Sequence, residues 1–241
     1  MNQLDSIPLL LPALQSLALG LGFIILGWML AVHRRHRLTP ATPAPVADFL
    51  PVYSVPVRRP CCWLAVRGTS PEAVRMVLGL NGTRPCSWAE GLSGGHEFFI
   101  SPPLNGWVVV TGLGLPNPTD DVDATFLFLT ALSRELGQVQ YFYASRLLHH
   151  HAWARLDDGC VTRAYAWAGE TVWNQGTVTL PEIETGVRLF DYGEHAATIL
   201  DAESNFTKVP QLAARWSLDP AQVKPNRLRP AMGITGKTTF S

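Results

Sequence analysis

The sequence predicts an α+β protein: one N-terminal transmembrane helix, then a ferredoxin-like βαββαβ domain that a β-hairpin extends. Two observations predict this fold class. Residues 6–32 contain no charged side chain, and the segments between residues 61 and 145 follow the order β-α-β-β-α-β. The composition also excludes a disordered chain, because 47% of the 241 residues are hydrophobic and only 16% are charged.

The uncharged segment predicts a single membrane anchor. Its densest part, residues 11–32, is long enough to cross the roughly 30 Å hydrocarbon core of a bilayer. The expected membrane-interface residues are Trp28, near the end of the apolar run, and the cluster Arg34, Arg35 and Arg37 that follows it. A signal peptide is the alternative, but it would carry its positive charges before the apolar run. We therefore expect a single-pass protein of the inner (cytoplasmic) membrane, with the N-terminus outside and the C-terminal domain in the cytoplasm.

Composition divides the chain into four parts. These are an N-terminal tail, anchor and basic stop (1–37), a Pro-rich linker (38–59), an α+β domain (60–200), and a short helix with a basic extended tail (201–241). Residues 206–241 carry six Lys or Arg against one acid, Asp219, for a net charge of +5, and the part after Asp219 shows no pattern of a packed core. We therefore expect the tail to lie against an anionic surface, with Arg227 and Arg229 among its contacts.

The first half of the domain has clear start and stop signals. Residues 61–68 are apolar and β-rich, and a helix over 70–80 begins with Ser70 as N-cap and Pro71 in its first turn. Residues 84–95, with three glycines, are predicted to be a loop. Strands at 97–101 and 107–112 should pair antiparallel, because Asn105-Gly106 between them is a turn signal.

The second half is a helix, a strand and a hairpin. The helix over 120–137 has an acidic first turn and ends at Gly137, and Phe126, Leu129 and Leu132 should face the sheet. A strand follows at 138–145. Strands at 150–156 and 161–168 form a hairpin, for which a three-residue loop with Leu156 opposite Cys160 is expected.

Five short motifs lie within the domain: WAEGL (88–92), SPPLNGW (101–107), QVQYF (138–142), HAWAR (151–155) and RAYAWAGE (163–170). They resemble the motifs of a family of uncharacterised bacterial proteins. The resemblance covers roughly residues 60–220 and excludes the anchor and the linker. Because that family carries no assigned activity, the resemblance implies none for this chain.

The hairpin is the strongest candidate for a recognition surface. One face collects side chains of the types that dominate binding hot spots, namely His151, Trp153, Arg155, Arg163, Tyr165 and Trp167. The other face consists almost entirely of alanine. The alternative is that the aromatic side chains form the core, since large aromatics are usually buried. Trp216, in a short helix predicted at 208–217, is a further candidate contact.

No catalytic motif is present, so we expect neither an enzyme nor a cofactor. The run His149-His150-His151 places His149 and His151 on one face of a strand, as a possible two-ligand metal half-site. A third ligand would have to come from His96, His195, a cysteine or an acid. A structural or solvated histidine cluster is the more common outcome, and no metal site is expected. Gly236-Lys237-Thr238 lacks the preceding glycine and the following helix of a phosphate-binding loop.

These features favour a non-enzymatic accessory subunit that docks onto a larger membrane protein complex, respiratory or photosynthetic complexes being one setting. Its expected partners are subunits of that complex and the lipid bilayer, but not nucleic acid. Two alternatives remain open. The first is a membrane-tethered sensor of a small ligand, and the second is a metal-dependent hydrolase that uses His149 and His151.

Overall fold

Nine antiparallel strands form one sheet in the computed structural model, which describes residues 59–194, 199–223 and 231–238, with the backbone alone for 199–204. The strands are β1 (Cys62–Arg67), β2 (Leu80–Cys86), β3 (Phe98–Ile100), β4 (Trp107–Thr111), β5 (Val139–Ser145), β6 (His150–Asp157), β7 (Cys160–Trp167), β8 (Thr171–Gly176) and β9 (Gly233–Thr238). Their order across the sheet is β2-β9-β3-β4-β1-β5-β6-β7-β8. The described edge strands are therefore β2 and β8.

Helices cover both faces of the sheet. They are α1 (Pro71–Val77), α2 (Trp88–Gly91), α3 (Val122–Leu136), α4 (Leu180–Thr185) and α5 (Ile199–Trp216), followed by a 3₁₀ turn at Pro220–Gln222. Helices α1 and α3 pack on one face, and α2 and α5 pack on the other. The central strands are consequently buried on both sides, which explains why β1 and β5 read as nearly continuous apolar runs.

The two faces differ in the size of their side chains. The face under α3, here called the alanine face, carries Ala152, Ala154, Ala164 and Ala166 of the hairpin, and these small residues let the helix approach closely. The opposite face, here called the aromatic face, carries Trp63, Phe99, Phe142, Trp153, Tyr165 and Trp167. Both sets are buried, so neither face of the hairpin is exposed to solvent at these positions.

The prediction of a ferredoxin-like domain extended by one hairpin is wrong, because the domain is a nine-stranded sheet with helices on both faces. The four strands predicted between residues 61 and 145 lie next to one another, in the order β3-β4-β1-β5. Three further strands, β2, β8 and β9, enlarge the sheet. Strand β2 contains Gly82 and Pro85 and therefore resembles a loop, but proline is tolerated on an edge strand.

The prediction of a single-pass protein anchored in the inner membrane is also corrected. No helix in the described ranges is long and apolar enough to cross a membrane. The segment predicted to do so, residues 11–32, lies outside these ranges. The same holds for the predicted interface residues Trp28, Arg34, Arg35 and Arg37 and for residues 38–58 of the linker.

Strands β3 and β4 pair antiparallel, which confirms the prediction made from Asn105-Gly106. The helix prediction is confirmed in part. Leu129 and Leu132 of α3 are buried, whereas Phe126 is 36% exposed and meets Trp173 edge-on at 6.1 Å between ring centroids. Thr125 takes the buried position in the first turn instead, where its hydroxyl donates a hydrogen bond to the carbonyl of Asp121.

The predicted hairpin register is wrong, although the predicted division of the side chains between the two faces holds. Asp157 pairs with Cys160, so the turn has two residues, Asp158 and Gly159, both at positive φ. A register shift follows between Arg155 and Leu156, and beyond it Trp153 pairs with Tyr165. Pairing of Leu156 with Cys160 would have placed Trp153 opposite Arg163. The two-residue turn alone would move the side chains of one strand to the opposite face. The one-residue bulge compensates for this, so the aromatic side chains still share one face.

Residues 233–238, which were predicted to belong to an extended tail without a packed core, are part of the sheet. Strand β9 pairs with both β2 and β3, although its sequence, GITGKT, shows no apolar alternation. Helix α5 is also longer than the predicted 208–217 helix, so the predicted boundary between residues 200 and 201 falls inside it. The predicted contact residues Arg227 and Arg229 lie outside the described ranges.

The close approach of β9 to β3 gives a test of this placement. A Cβ at Gly233 would overlap the ring of Phe99 and the carbonyl oxygen of Ile100. We expect Gly233→Val to lower the free energy of unfolding by about 1–3 kcal/mol, measured by urea denaturation. Met232 is 52% exposed, so Met232→Val should change the free energy by less than about 0.5 kcal/mol. Equal stability of the two variants would contradict the insertion of β9.

Candidate metal centre

A thiol, a carboxylate and an imidazole converge at the edge of the sheet that β2 forms. The ligand atoms of Cys86, Glu90 and His96 all lie within 4.8 Å of one another. The Cys86 Sγ lies 3.8 Å from the His96 Nε2. Cys86 is buried, His96 is half-buried and Glu90 is exposed, so the cluster opens to solvent on its carboxylate side. It is the one group of three such ligands that the described residues contain.

Local sequence places the thiol and the carboxylate together. Cys86 is the last residue of β2, and Ser87 then caps α2 by accepting a hydrogen bond from the backbone N–H of Glu90 at 3.3 Å. The cap starts a helical turn directly after the strand. Residues four apart lie on the same side of a helical turn. The turn that follows Cys86 therefore places the Glu90 side chain next to the thiol.

Packing on the aromatic face holds this turn in position. Trp88 and Leu92 are buried, and Trp88 meets the ring of Phe99 edge-on at 6.1 Å between centroids. Gly91 lies directly over the same ring, where a Cβ would overlap Phe99. Only glycine fits this close approach, so α2 is fixed against β3 by its own sequence.

Backbone hydrogen bonds from the end of β4 position the imidazole. The N–H of Leu113 donates to the carbonyl of His96 at 3.0 Å, and the N–H of Gly114 donates to the carbonyl of Glu97 at 2.9 Å. The Glu97 carboxylate accepts hydrogen bonds from the backbone N–H and hydroxyl of Thr238, which hold its pKa below the usual range. The segment that carries His96 is therefore fixed to both β4 and β9.

The charges around the thiol favour a cation. Burial and, to a smaller extent, the neighbouring Glu90 raise the pKa of Cys86 to about 11, although Arg84 opposes them. Both burial and the charge of Glu90 disfavour a thiolate at Cys86. A divalent ion reverses both effects, because it coordinates the thiolate and neutralises the carboxylate. Without an ion, the thiol donates to the Ser87 carbonyl at 3.5 Å, and the guanidinium of Arg84 lies 4.0 Å from Glu90.

The observed spacing is close to that of a tetrahedral site. With a Zn–S bond near 2.3 Å and a Zn–N bond near 2.0 Å, sulfur and nitrogen lie roughly 3.5 Å apart. The measured 3.8 Å between Cys86 and His96 requires only a small movement of either side chain. Glu90 is exposed, so rotation about its side-chain bonds brings an oxygen to the third position.

No protein-family model, curated protein or solved structure matches this chain. The resemblance to a family of uncharacterised bacterial proteins therefore stays a prediction. The arrangement of the described side chains is what supports a function.

The predicted interaction residues are mostly internal. Trp153 and Arg163 both contact the buried carboxylate of Glu182, through hydrogen bonds of 2.8 Å from the indole N–H and from the guanidinium Nε. Arg163 also donates to the side-chain oxygen of Asn174 at 2.8 Å. Thr179 completes the network by donating to Glu182 from its backbone N–H and its hydroxyl. These groups form a buried polar network on the aromatic face and do not form a docking surface.

The remaining predicted residues lie around this network. Tyr165 and Trp167 are buried, and the hydroxyl of Tyr165 accepts a hydrogen bond from the backbone N–H of Phe190 at 3.0 Å. Trp216, at the end of α5, is 9% exposed and donates to the Thr179 hydroxyl at 3.3 Å. Arg155 is half-buried on β6.

The histidine run does not form the predicted half-site. His151 is buried and stacks on Trp153 at 5.9 Å between centroids, and its Nε2 lies 2.9 Å from the amide nitrogen of Asn205. That amide also donates to the carbonyl of Arg188, which identifies Nδ2 as the donor and leaves the His151 Nε2 as an unprotonated acceptor. His149 belongs to no three-ligand group among the described residues.

The sequence analysis did not predict the Cys86 cluster: it named His96 only as a possible third ligand beside His149 and His151, and it predicted residues 84–95 to be a loop. The signal that could have revealed part of the cluster is a cysteine and a glutamate four residues apart around a serine cap. His96 reaches the cluster only through the tertiary structure.

Breaking the buried ion pair should be far more costly than breaking a surface pair on the same helix. Arg163 and Glu182 are 1% and 0% exposed, whereas Arg215 and Glu184 are 47% and 43% exposed. We expect Glu182→Ala to lower the free energy of unfolding by about 3–5 kcal/mol, because it leaves a buried guanidinium unpaired. Glu184→Ala should lower it by about 1 kcal/mol at most. Similar losses in urea denaturation would contradict the network.

His151 should make stability fall in acid. Burial lowers its pKa to about 3, with a smaller contribution from His150, whereas an unfolded histidine titrates near 6.5. Between these values only the unfolded state takes up the proton, so the free energy of unfolding falls by up to about 1.4 kcal/mol per pH unit as pH drops. His151→Gln removes this group, and urea denaturation between about pH 4 and pH 6.5 should show a shallower slope. An unchanged slope would mean that His151 is protonated in the folded protein.

Proposed function

We propose that this chain is a zinc-binding protein whose centre consists of Cys86, Glu90 and His96. The observation that carries the proposal is the convergence of three different metal-ligating atoms within 4.8 Å. The three residues come from the end of β2, from α2 and from the segment before β3, and packing or hydrogen bonds fix each segment. A divalent ion would therefore meet a largely preformed site.

The ligand types select the metal. A thiolate, an imidazole and a carboxylate together are the ligands that Zn²⁺ uses in proteins. Ca²⁺ and Mg²⁺ prefer sites made only of oxygen atoms, so the sulfur of Cys86 disfavours both. Copper sites use softer or differently arranged ligand sets, such as two histidines with a cysteine.

Three protein ligands leave one coordination position open. No fourth cysteine, histidine or acid joins the cluster in the described part of the chain. Structural zinc sites are usually closed by four protein ligands, whereas sites with exchangeable ligands use three. The exposed position of Glu90 supports access from solvent, so this centre fits a role in binding or polarising a small ligand.

The other hypotheses rest on different residues. The accessory-subunit hypothesis stays a prediction, and most of the aromatic residues on which it relied are buried. The hypothesis of a metal-dependent hydrolase needs both His149 and His151 as metal ligands. It is not supported here, because the His151 Nε2 is hydrogen-bonded to Asn205 within the core. The zinc centre requires neither histidine.

Metal titration of the full chain tests the proposal directly. We expect purified protein to bind one equivalent of Zn²⁺, and one equivalent of Co²⁺ with a thiolate-to-cobalt charge-transfer band. Replacing a direct ligand should cost at least as much as the 10–100-fold losses known for supporting residues. Cys86→Ser and His96→Gln should therefore each weaken Co²⁺ binding about 100-fold or more, and Cys86→Ser should abolish the charge-transfer band.

Cys160 provides the matched control. It is the first residue of β7, its thiol is exposed and it lies outside the cluster, so Cys160→Ser should leave the stoichiometry, the affinity and the spectrum unchanged. Thermal unfolding with and without Zn²⁺ adds a second readout, since an ion that binds only the folded state raises Tm. A charge-transfer band that survives Cys86→Ser, or the absence of any bound ion, would overturn the proposal.

A further inference from the structure

A cavity of about 330 Å³ adjoins the candidate zinc centre. His96 belongs to both, so an ion held by its imidazole would lie at the wall of the cavity. The other lining residues come from β2, from the segment before β3, and from β9: Gly82, Arg84, Gly95, Glu97, Thr235, Gly236 and Lys237. This volume is at the lower end of the range for small-molecule sites.

The shape of the cavity follows from an irregularity in β2. The pairing of β2 with β9 shifts between Asn81 and Arg84, and Gly82 within this bulge has a φ of +59°. Bulges re-aim side chains and are common beside functional sites. The shift places Arg84 at the cavity together with Lys237 of β9, so two cations from neighbouring strands line it.

We propose that this cavity binds a small phosphate-bearing molecule, one of whose phosphate oxygens occupies the open position on the zinc ion. The inference deepens the proposed function and rests on it. Lys237 and Arg84 supply two positively charged donors, and the ion supplies a third positive centre. Phosphate, with its several charged oxygens, is the common ligand that engages three such centres at once.

The charge of the site depends on the metal. Two cations, Arg84 and Lys237, stand against two carboxylates, Glu90 and Glu97, so the formal charges of these four side chains cancel. Zn²⁺ adds two charges and the thiolate of Cys86 removes one, which leaves the loaded site with one net positive charge. The Glu97 carboxylate is held by Thr238 and is the one acidic group that lines the cavity. An anion should therefore bind the loaded protein better than the metal-free protein.

Lys237 separates the anion site from the metal site experimentally. It is exposed and outside the ligand cluster, so Lys237→Ala should leave Co²⁺ affinity unchanged. A charge-assisted hydrogen bond is worth roughly 1.5–3 kcal/mol, so the same variant should weaken phosphate binding about tenfold or more. Arg75, on α1 and outside the cavity, offers a control that removes one positive charge, and Arg75→Ala should leave both affinities unchanged.

The experiment adds inorganic phosphate, and separately a phosphomonoester such as glycerol phosphate, to the full chain loaded with one equivalent of Co²⁺. We expect each to shift the visible Co²⁺ spectrum saturably, and acetate to act only at far higher concentration. Tighter binding of the ester than of inorganic phosphate identifies an organic phosphate as the ligand, and the reverse order identifies free phosphate. Both orders support the phosphate site.

Three outcomes would overturn the inference. If phosphate does not change the Co²⁺ spectrum, the anion does not coordinate the ion, but the proposed metal centre still stands. If the wild type and Lys237→Ala bind phosphate with equal affinity, this cavity is not the phosphate site. If acetate is as effective as phosphate, the site is not selective for phosphate. Failure of the wild-type chain to bind Co²⁺ at all is a different result, because it overturns the zinc centre itself.

Discussion

The insertion of β9 between β2 and β3 is the constraint on which the functional edge of this protein depends. Residues 80–86 and 98–100 do not pair with each other; each pairs with Gly233–Thr238. The C-terminal strand thereby sets the distance between the strand that ends at Cys86 and the segment that carries His96. It also brings Lys237 to the cavity beside them. One strand of six residues connects the fold, the metal centre and the anion site.

Helices cover both faces of the sheet in the described part of the chain. The alanine face accepts α3 closely, and the aromatic face is filled by large rings and by the Arg163–Glu182 network. Buried charges stabilise a structure only when they are paired and hydrogen-bonded. Here Glu182 accepts bonds from Trp153, Arg163 and Thr179, so the network fixes α4 against β6 and β7.

Local signals in the sequence predicted the centre of the sheet and missed its edges. The turn at Asn105-Gly106 and the acidic start of α3 are short-range features, and the structure contains both elements. Strand β9 lacks apolar alternation because Gly233 and Gly236 are needed where neighbouring strands and rings approach closely. Such glycines are visible only when the partner strand is known. The hairpin illustrates the same limit, since its faces were predicted correctly and its turn was not.

The zinc centre is the central claim, and X-ray absorption at the zinc edge of the loaded full chain tests it most directly. One sulfur near 2.3 Å and two or three nitrogen or oxygen ligands near 2.0 Å are the coordination that Cys86, Glu90 and His96 predict. The sulfur shell should disappear in Cys86→Ser and persist in Cys160→Ser. A zinc ion surrounded only by nitrogen and oxygen in the wild type would contradict this account.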